Sequence, residues 1–362
     1  MVWTELTPAE LLSGPVTAPR IADEPWLVRW DRLDLDVDEL VTRAFPNPVD
    51  LHTSGTTGQS RAWRRTREQL WAEAGLLAGL LAPRSPQAVL SFVPPRHIFG
   101  MLVSVLVPAR LRVPVWYRPA LFGPAPGEGY RRWAVMAIPW VFSLLRRNMS
   151  WVSTSEHLTV LHSTATLPAT AADFLAEAGP ERASIVEVFG STETGGIAKR
   201  QWAGGDPLWE LFDDVRFLPG RAPAGKEVPL AISSPRLAAP PGEPPPESAV
   251  MDDLVLPVGE DRFRFVGRRS RLVKVNGRRM DLDELERSLR SVLRCADLAI
   301  LPVTDAVIGE HIDLLVVPET GVGVDARVVR EHLGVRPRRT LLLGRIDRTD
   351  TGKALRAQRV IG

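Results

Sequence analysis

The sequence predicts an α/β protein: a large domain of mostly parallel sheets flanked by helices, then a small, mobile α+β C-terminal domain. Three observations carry this. At 362 residues the chain is too long for one compact core. Between Thr66 and Val188 short apolar runs alternate with helical stretches, the pattern of parallel strands joined by helices. After Gly190 short strands dominate, and from Arg271 the pattern changes to hairpin, helix, strands and helix. The boundary is expected near Gly267 to Arg271, giving units 1–269 and 270–362.

Taken in order, residues 1–49 are polar with scattered tryptophans and show no chemistry. Thr66 to Leu81 has helical periodicity and an N-cap threonine. Ala88 to Val93 reads as a buried strand, Ile98 to Val107 as an apolar helix, and Val113 to Tyr117 as a short strand. Pro124 to Gly129 is a loop, Ala134 to Ile138 a strand, and a helix starts near Trp140. Leu158 to His162 is a strand, Ala169 to Ala178 a helix, and Ser184 to Val188 a strand. Strands follow at Glu227 to Ile232 and Arg262 to Val266, with the proline-rich stretch Ala238 to Pro246 between them as a stiff surface loop. The last unit reads as a hairpin Arg271 to Arg279, a helix Asp283 to Leu293, strands near Leu298 to Val303 and Ile312 to Val317, and a helix near Asp325 to Leu333.

Composition narrows the function classes. With 44% apolar and 24% charged residues the chain reads as an ordinary soluble globular protein. One cysteine, Cys295, excludes an internal disulfide and fits a cytoplasmic location. The start Met1-Val2-Trp3-Thr4-Glu5 has no secretory pattern. The most apolar window, Val89 to Val107, is broken by Pro94-Pro95-Arg96-His97, so no stable membrane insertion is expected. A net charge of +2 does not call for a nucleic acid polymer as partner. Only four basic residues are lysines (Lys199, Lys226, Lys274 and Lys353) against forty-one arginines. A lysine kept in such a chain marks a site where a guanidinium will not serve.

Five stretches carry chemistry. In Thr53-Ser54-Gly55-Thr56-Thr57-Gly58 every residue is Ser, Thr or Gly, so N–H groups and hydroxyls are free to cradle a polyanion; the plain alternative is a flexible turn. The stretch lacks the Gly-Lys ending of a Walker loop. Val188-Phe189-Gly190-Ser191-Thr192-Glu193-Thr194-Gly195-Gly196 closes a strand. Its aromatic suits a purine, and its Thr-Glu pair a phosphate oxygen and Mg²⁺, a cation that favours oxygen ligands. Met251-Asp252-Asp253-Leu254 offers a carboxylate for ribose hydroxyls. Gly267-Arg268-Arg269-Ser270-Arg271-Leu272-Val273-Lys274-Val275-Asn276-Gly277-Arg278 leads on to Glu284-Leu285-Glu286, and Asp347 to Arg356 contains Thr351-Gly352-Lys353.

In this order the five motifs resemble the adenylate-forming superfamily: acyl-CoA synthetases, aryl-acid ligases, luciferases and peptide-synthetase adenylation domains. The resemblance runs from about residue 49 to the end. It implies activation of a carboxylic acid, aryl or fatty acyl, by ATP with Mg²⁺. The acyl group would then pass to a phosphopantetheine thiol, on an acidic acyl carrier protein or on CoA. It implies that Thr53 to Gly58 grips the outer phosphates, and that His97, in a Pro-x-x-His-like segment, lines the acid pocket. Ser163, Thr164 and Ala165 would lie beside adenine, with Phe189 and Gly190. Thr192 would meet the α-phosphate and Glu193 the Mg²⁺. Asp253 and Arg268 would hold the ribose, Lys274 would join the cofactor-binding set, the Gly277 region would serve the second half-reaction, and Lys353 would bridge carboxylate and α-phosphate.

Departures from the family pattern are equally legible. Ser60-Arg61 replaces Pro-Lys, Ser163-Thr164 replaces a glycine pair, and Ser270 replaces the hinge aspartate. The phosphate loop also comes early, so much of the first N-terminal subdomain is expected to be missing. Short members of this layout resemble the stand-alone ligases of aryl-polyene and xanthomonadin-type pathways. The alternative reading is a degenerate nucleotide-binding regulator or scaffold.

Overall fold

The computed structural model describes residues 3–54, 60–119, 126, 129–218, 225–275, 278–305, 309–319, 323–348 and 354. The elements form close to where the sequence places them. The strands of the first half are β1 (Thr4–Leu6), β2 (Trp26–Val28), β3 (Val49–Ser54), β4 (Ser60–Arg65), β5 (Ala88–Ser91), β6 (Val115–Tyr117), β7 (Arg132–Ala137), β8 (His157–His162) and β9 (Ala183–Ser191). Those that follow are β10 (Gly195–Trp202), β11 (Trp209–Leu211), β12 (Arg216–Phe217), β13 (Val228–Ser233), β14 (Ala249–Val258) and β15 (Arg262–Arg268). Among the described residues thirteen strands form one sheet, ordered β1-β2-β6-β5-β7-β8-β9-β10-β11-β15-β14-β13-β12, while β3 and β4 form a separate hairpin. From β6 through β9 all neighbours run parallel; beyond β9 every pairing is antiparallel.

Strand alternation explains the two cores. Val89 faces one cluster with Leu70, Leu77 and Tyr117, and its neighbour Leu90 faces the other with Trp116, Trp133, Phe142 and Phe174. The helix Arg67–Leu81 covers the first face and the helices Val141–Arg147 and Ala169–Ala178 the second. That is why every residue of β8 is buried. Residues 1–49, where the sequence shows no chemistry, add β1 and β2 to the sheet edge and bury Trp26 and Trp30 completely.

The helix Arg67–Leu81 starts at a capping box: Thr66 Oγ1 accepts the Gln69 N–H at 3.2 Å and Gln69 Oε1 accepts the Thr66 N–H at 3.0 Å. The apolar helix expected over residues 98–107 runs on to Leu111, and its middle, Met101–Leu106, is wound in wider π turns. Pro108 follows after Val107 and has no N–H to give to the turn before it.

A small C-terminal sheet domain completes the fold. Its strands are β16 (Leu272–Val275), β17 (Arg278–Asp281), β18 (Cys295–Asp305), β19 (Gly309–Pro318) and β20 (Arg339–Leu342), with helices Leu282–Val292 and Ala326–Leu333. The order β18-β19-β20 joins an antiparallel to a parallel pair. Its core has its own residues, among them Val275, Leu289, Ile300, Leu314 and Leu333. Cys295 packs against this core, and burial pushes its thiol pKa up. Among the described residues no helix is long and apolar enough to cross a membrane.

Candidate active site

Parallel strands bring their C-terminal ends to one edge of a sheet, where α/β proteins place their ligands. Here that edge gathers the turns after β5, β8 and β9. His97 follows β5, and Ser163, Thr164 and Ala165 follow β8. Phe189 and Gly190 close β9, with Thr192 and Glu193 just beyond. Residues that are far apart in sequence are thus delivered by topology to one side.

Each turn has a local cause. At Gly100 a Cβ would stand 1.8 Å from the Pro94 carbonyl oxygen, so only glycine lets the turn carrying His97 fold back on itself. His97 caps the helix that follows, and its carbonyl accepts the Met101 N–H at 2.8 Å. After β8, Ser163 Oγ donates to the Val188 carbonyl at 2.9 Å, fastening the turn to β9. Thr164 is exposed and left-handed, at φ 82°, at the place where the resemblance expects a glycine. A β-branched residue is strained there.

The β9–β10 turn is the most constrained of these. Thr194 is fully buried, and its Oγ1 accepts the Ser191 N–H at 3.2 Å. The Glu193 carbonyl accepts the Ala238 N–H at 2.8 Å. The Glu193 carboxylate is half-buried and has no hydrogen bond or ion pair with the described residues. An oriented carboxylate left open in this way fits the oxygen ligand a Mg²⁺ ion requires. The Phe189 ring packs at 5.4 Å from Trp209, 5.7 Å from Phe263 and 5.8 Å from Phe265, and is not fully covered.

Asp253 on β14 and Arg268 on β15 are cross-strand partners, with Arg268 Nε donating to Asp253 Oδ1 at 3.2 Å. Asp253 is buried while the Arg268 side chain is 40% exposed, so the pair presents a fixed carboxylate beside a guanidinium that reaches solvent. The hairpin β3–β4 pairs from Val49↔Arg65 to Ser54↔Ser60, and Arg64 clamps Asp50 with two bonds of 2.7 Å. That clamp holds the Asp50 carboxyl below the usual carboxylate range. It also fixes the root of the Thr53–Gly58 stretch.

Several expected residues lie outside the description. Gly55, Thr56, Thr57, Gly58, Gly277 and Lys353 are not among the described residues, and for Thr53, Ser54 and Lys274 only the backbone is described. Of the residues flanking Lys353, Arg348 donates to both carboxylate oxygens of Asp297 at 2.8 and 2.7 Å and forms a bridge with Ala354. A cleft of about 580 Å³ lies at the opposite end of the parallel strands, lined by Arg84, Arg132, Glu156 and His157 among others. Its polar groups satisfy one another: His157 contacts the Glu181 carbonyl and Ser184 Oγ, and Arg132 donates to the Ser85 carbonyl.

A sequence profile described as AMP-binding enzyme matches residues 48–226, the span that holds the β3–β4 hairpin and the β9–β10 turn. Over that span the chain is similar to the AMP-binding enzymes. A curated member, the 4-coumarate–CoA ligase of Rhodobacter capsulatus, is 31% identical over 191 residues, covering 50% of this chain and 47% of the ligase. The chain thus matches about half the length of that relative. ATP-bound MatB from Rhodopseudomonas palustris superposes with a TM-score of 0.64 at 18% identity, over 84% of this chain and 66% of MatB. The anthranilate CoA ligase AuaEII in complex with anthranoyl-AMP gives 0.63 at 14% identity, over 85% of this chain and 65% of AuaEII. At such identities the likeness establishes the fold, an adenylation fold with a large mixed sheet and a small C-terminal sheet.

Three further residues escape sequence reasoning: Arg65, Glu73 and Arg236, all buried. One signal was available. Glu73 falls on the buried stripe Leu70, Ala74, Leu77, Ala78, Leu81 of its helix, where a carboxylate has no business without a partner.

Proposed function

We propose that the protein activates a carboxylic acid as its acyl-adenylate and then passes the acyl group to a phosphopantetheine thiol. The observation that carries this reading is the β9–β10 turn. It holds the Glu193 carboxylate, without a partner among the described residues, at the strand edge that also receives His97 and the Ser163–Ala165 turn. Asp253 with Arg268 supplies a carboxylate and guanidinium pair suited to ribose hydroxyls.

In this mechanism a carboxylate oxygen of the acid attacks the α-phosphorus of ATP. The bond to the bridging oxygen breaks, and pyrophosphate leaves. Two anions must meet, so positive charge and N–H donors are needed where they do. Thr192 would hold the α-phosphate, Lys353 would bridge it to the acid, and the Thr53–Gly58 stretch would hold the leaving phosphates. Glu193 would hold Mg²⁺, which supplies charge neutralisation on the phosphates. His97 would border the acid. Phe189, through the face its aromatic neighbours leave open, would contact adenine together with Gly190, Ser163, Thr164 and Ala165. In the second half-reaction the thiolate attacks the acyl carbonyl and AMP leaves. For this the unit from residue 270 onward would turn about residues 269–271, withdrawing Lys353 and presenting Lys274 and Gly277.

The acid is read as aryl or fatty acyl. The aryl option is supported by the 4-coumarate and anthranilate ligases among the similar proteins. The acceptor is read as an acidic carrier protein ahead of CoA. Residues 271–362 carry 17 basic against 13 acidic side chains, a surplus of +4, while the whole chain carries +2. Arg338 is clamped to Asp313 at 2.9 and 2.6 Å, so Arg336 and Arg339, both exposed, remain to meet such a partner.

ATP–pyrophosphate exchange over a panel of aryl and fatty acids tests the first half-reaction. Acid-dependent exchange is expected. ATP binding without exchange on any acid would replace this reading with a non-catalytic nucleotide-binding regulator. Offering CoA and a holo carrier protein side by side, at low and high salt, tests the acceptor. Charge reversal at Arg336 and Arg339 should slow transfer to the carrier alone; equal or better kcat/KM with CoA would reject the carrier.

A further inference from the structure

Arg65 and Glu73 form an ion pair at 2.8 Å with side chains 0% and 4% exposed. Arg65 ends β4, so it leaves the hairpin whose connection is the phosphate-type loop. Glu73 uses its other oxygen, Oε1, to accept the Gly196 N–H at 2.7 Å. The Gly196 carbonyl in turn accepts Arg236 Nη2 at 2.6 Å, and Arg236 pairs with Asp214. Both backbone groups of the residue that follows the β9–β10 turn are therefore held by buried charged side chains. The approach is close. A Cβ on Gly195, whose φ is 67°, would stand 2.6 Å from Glu73 Oε2 and 2.9 Å from Arg65 Nη1.

A strap of backbone reinforces the connection. Arg236 reaches Gly196, the Ala238 N–H reaches the Glu193 carbonyl, and Ala239 exchanges hydrogen bonds with Arg64 at 2.6 and 3.2 Å. One short segment thus touches both the Thr192–Glu193 turn and the root of the phosphate-type loop.

The arrangement is a poor way to gain stability. A buried ion pair stabilises no more than a well-packed apolar pair of the same size. This one also leaves Arg65 Nε and Nη2 without hydrogen-bond partners among the described residues. We propose that Arg65, Glu73 and Arg236 are positioning residues: they set the Thr192–Glu193 turn at a fixed distance and orientation from the hairpin that carries Thr53 to Gly58. This rests on the function proposed above, since only groups that must converge on one triphosphate need such a tie.

The test uses the full chain with Arg65→Met/Glu73→Gln, which removes both charges and keeps the volume. Three readouts are taken: thermal midpoint, amide hydrogen exchange across residues 191–196, and ATP–pyrophosphate exchange. Expected are a near-parental midpoint, amide exchange faster by about tenfold in the turn alone, and kcat lower by about tenfold with KM for the acid little changed. A folded double variant with parental amide exchange and parental kcat would overturn the proposal. Should the double variant not fold, Asp214→Asn decides, because Asp214 is 36% exposed and its loss loosens only Arg236. A rise of about threefold in amide exchange at 195–196 is expected there, and parental rates would overturn the proposal. If the parent protein shows no pyrophosphate exchange with any acid, the proposed reaction fails, while the amide readout still judges the tie.

Discussion

Arg65 pairs with Glu73 at side-chain exposures of 0% and 4%, whereas Arg348 pairs with Asp297 at 26% and 28%. The first pair is sealed between the hairpin β3–β4, the helix Arg67–Leu81 and the β9–β10 turn. The second lies on the rim of the small C-terminal core, where Arg290 also donates to Asp297 at 2.9 Å. The small domain repeats this habit: Arg271 bonds Asp283 and Glu286, all three partly open to water, and Arg338, also partly open, bonds the buried Asp313. The large unit fixes its turn through Arg65, Glu73 and Arg236, side chains with almost no solvent to fall back on. The small unit is fastened by pairs that water partly replaces when they break. Under the proposed mechanism, a tightly held Thr192–Glu193 turn and the partly exposed Arg348 pair would suit a static platform and a C-terminal unit that turns against it.

The comparison is broken most forcefully at Arg65. Arg65→Ala leaves the Glu73 carboxylate buried and unpaired, and a stability loss of about 3–5 kcal/mol is expected by denaturant titration. A loss no larger than that of a surface substitution would mean that the site admits water and the contrast is false. Next comes Lys353→Ala. Adenylate formation should fall by about a hundredfold or more, roughly 2.7 kcal/mol in the barrier, while thiol transfer from a supplied acyl-adenylate is spared. Equal loss in both half-reactions would remove the division of labour between the two units.

A smaller effect is expected at Asp297. Burial pushes its carboxyl pKa up, but hydrogen bonds from Arg348 and Arg290 outweigh this and hold it below the usual carboxylate range. A depressed folded pKa stabilises the protein above the unfolded value of about 4, and that contribution is lost as pH falls through the folded value. Asp297→Asn should therefore cost about 1 kcal/mol at pH 7 and nothing at low pH. An equal loss at both pH values would show that the effect is steric. At the bottom of the scale, Glu331→Gln breaks an ion pair with Arg327 whose side chains are 58% and 78% exposed. A change within about 0.5 kcal/mol is expected, and more would show that surface pairs here are not graded by exposure.

Much of this molecule follows from local rules. The capping box at Thr66, the helix Ala169–Ala178 and the strand ending at His162 sit where periodicity and end signals put them. The five motifs were legible because each needs particular residue types at short spacing: small residues for a cradle, a Thr-Glu pair after a strand, a lysine among arginines. What the sequence determined alone is therefore the order of the elements, a likeness to adenylate-forming enzymes, and the list of residues proposed to meet one ligand. It could not show that Asp253 and Arg268 are cross-strand partners, because register depends on which residues of β14 and β15 meet. Nor could it show that Glu73, 123 positions from Gly196, is the acceptor of that residue's N–H. A buried carboxylate is tolerated only where a donor and a cation converge on it. Convergence over such separations is a property of the packed fold, which only the tertiary structure decides.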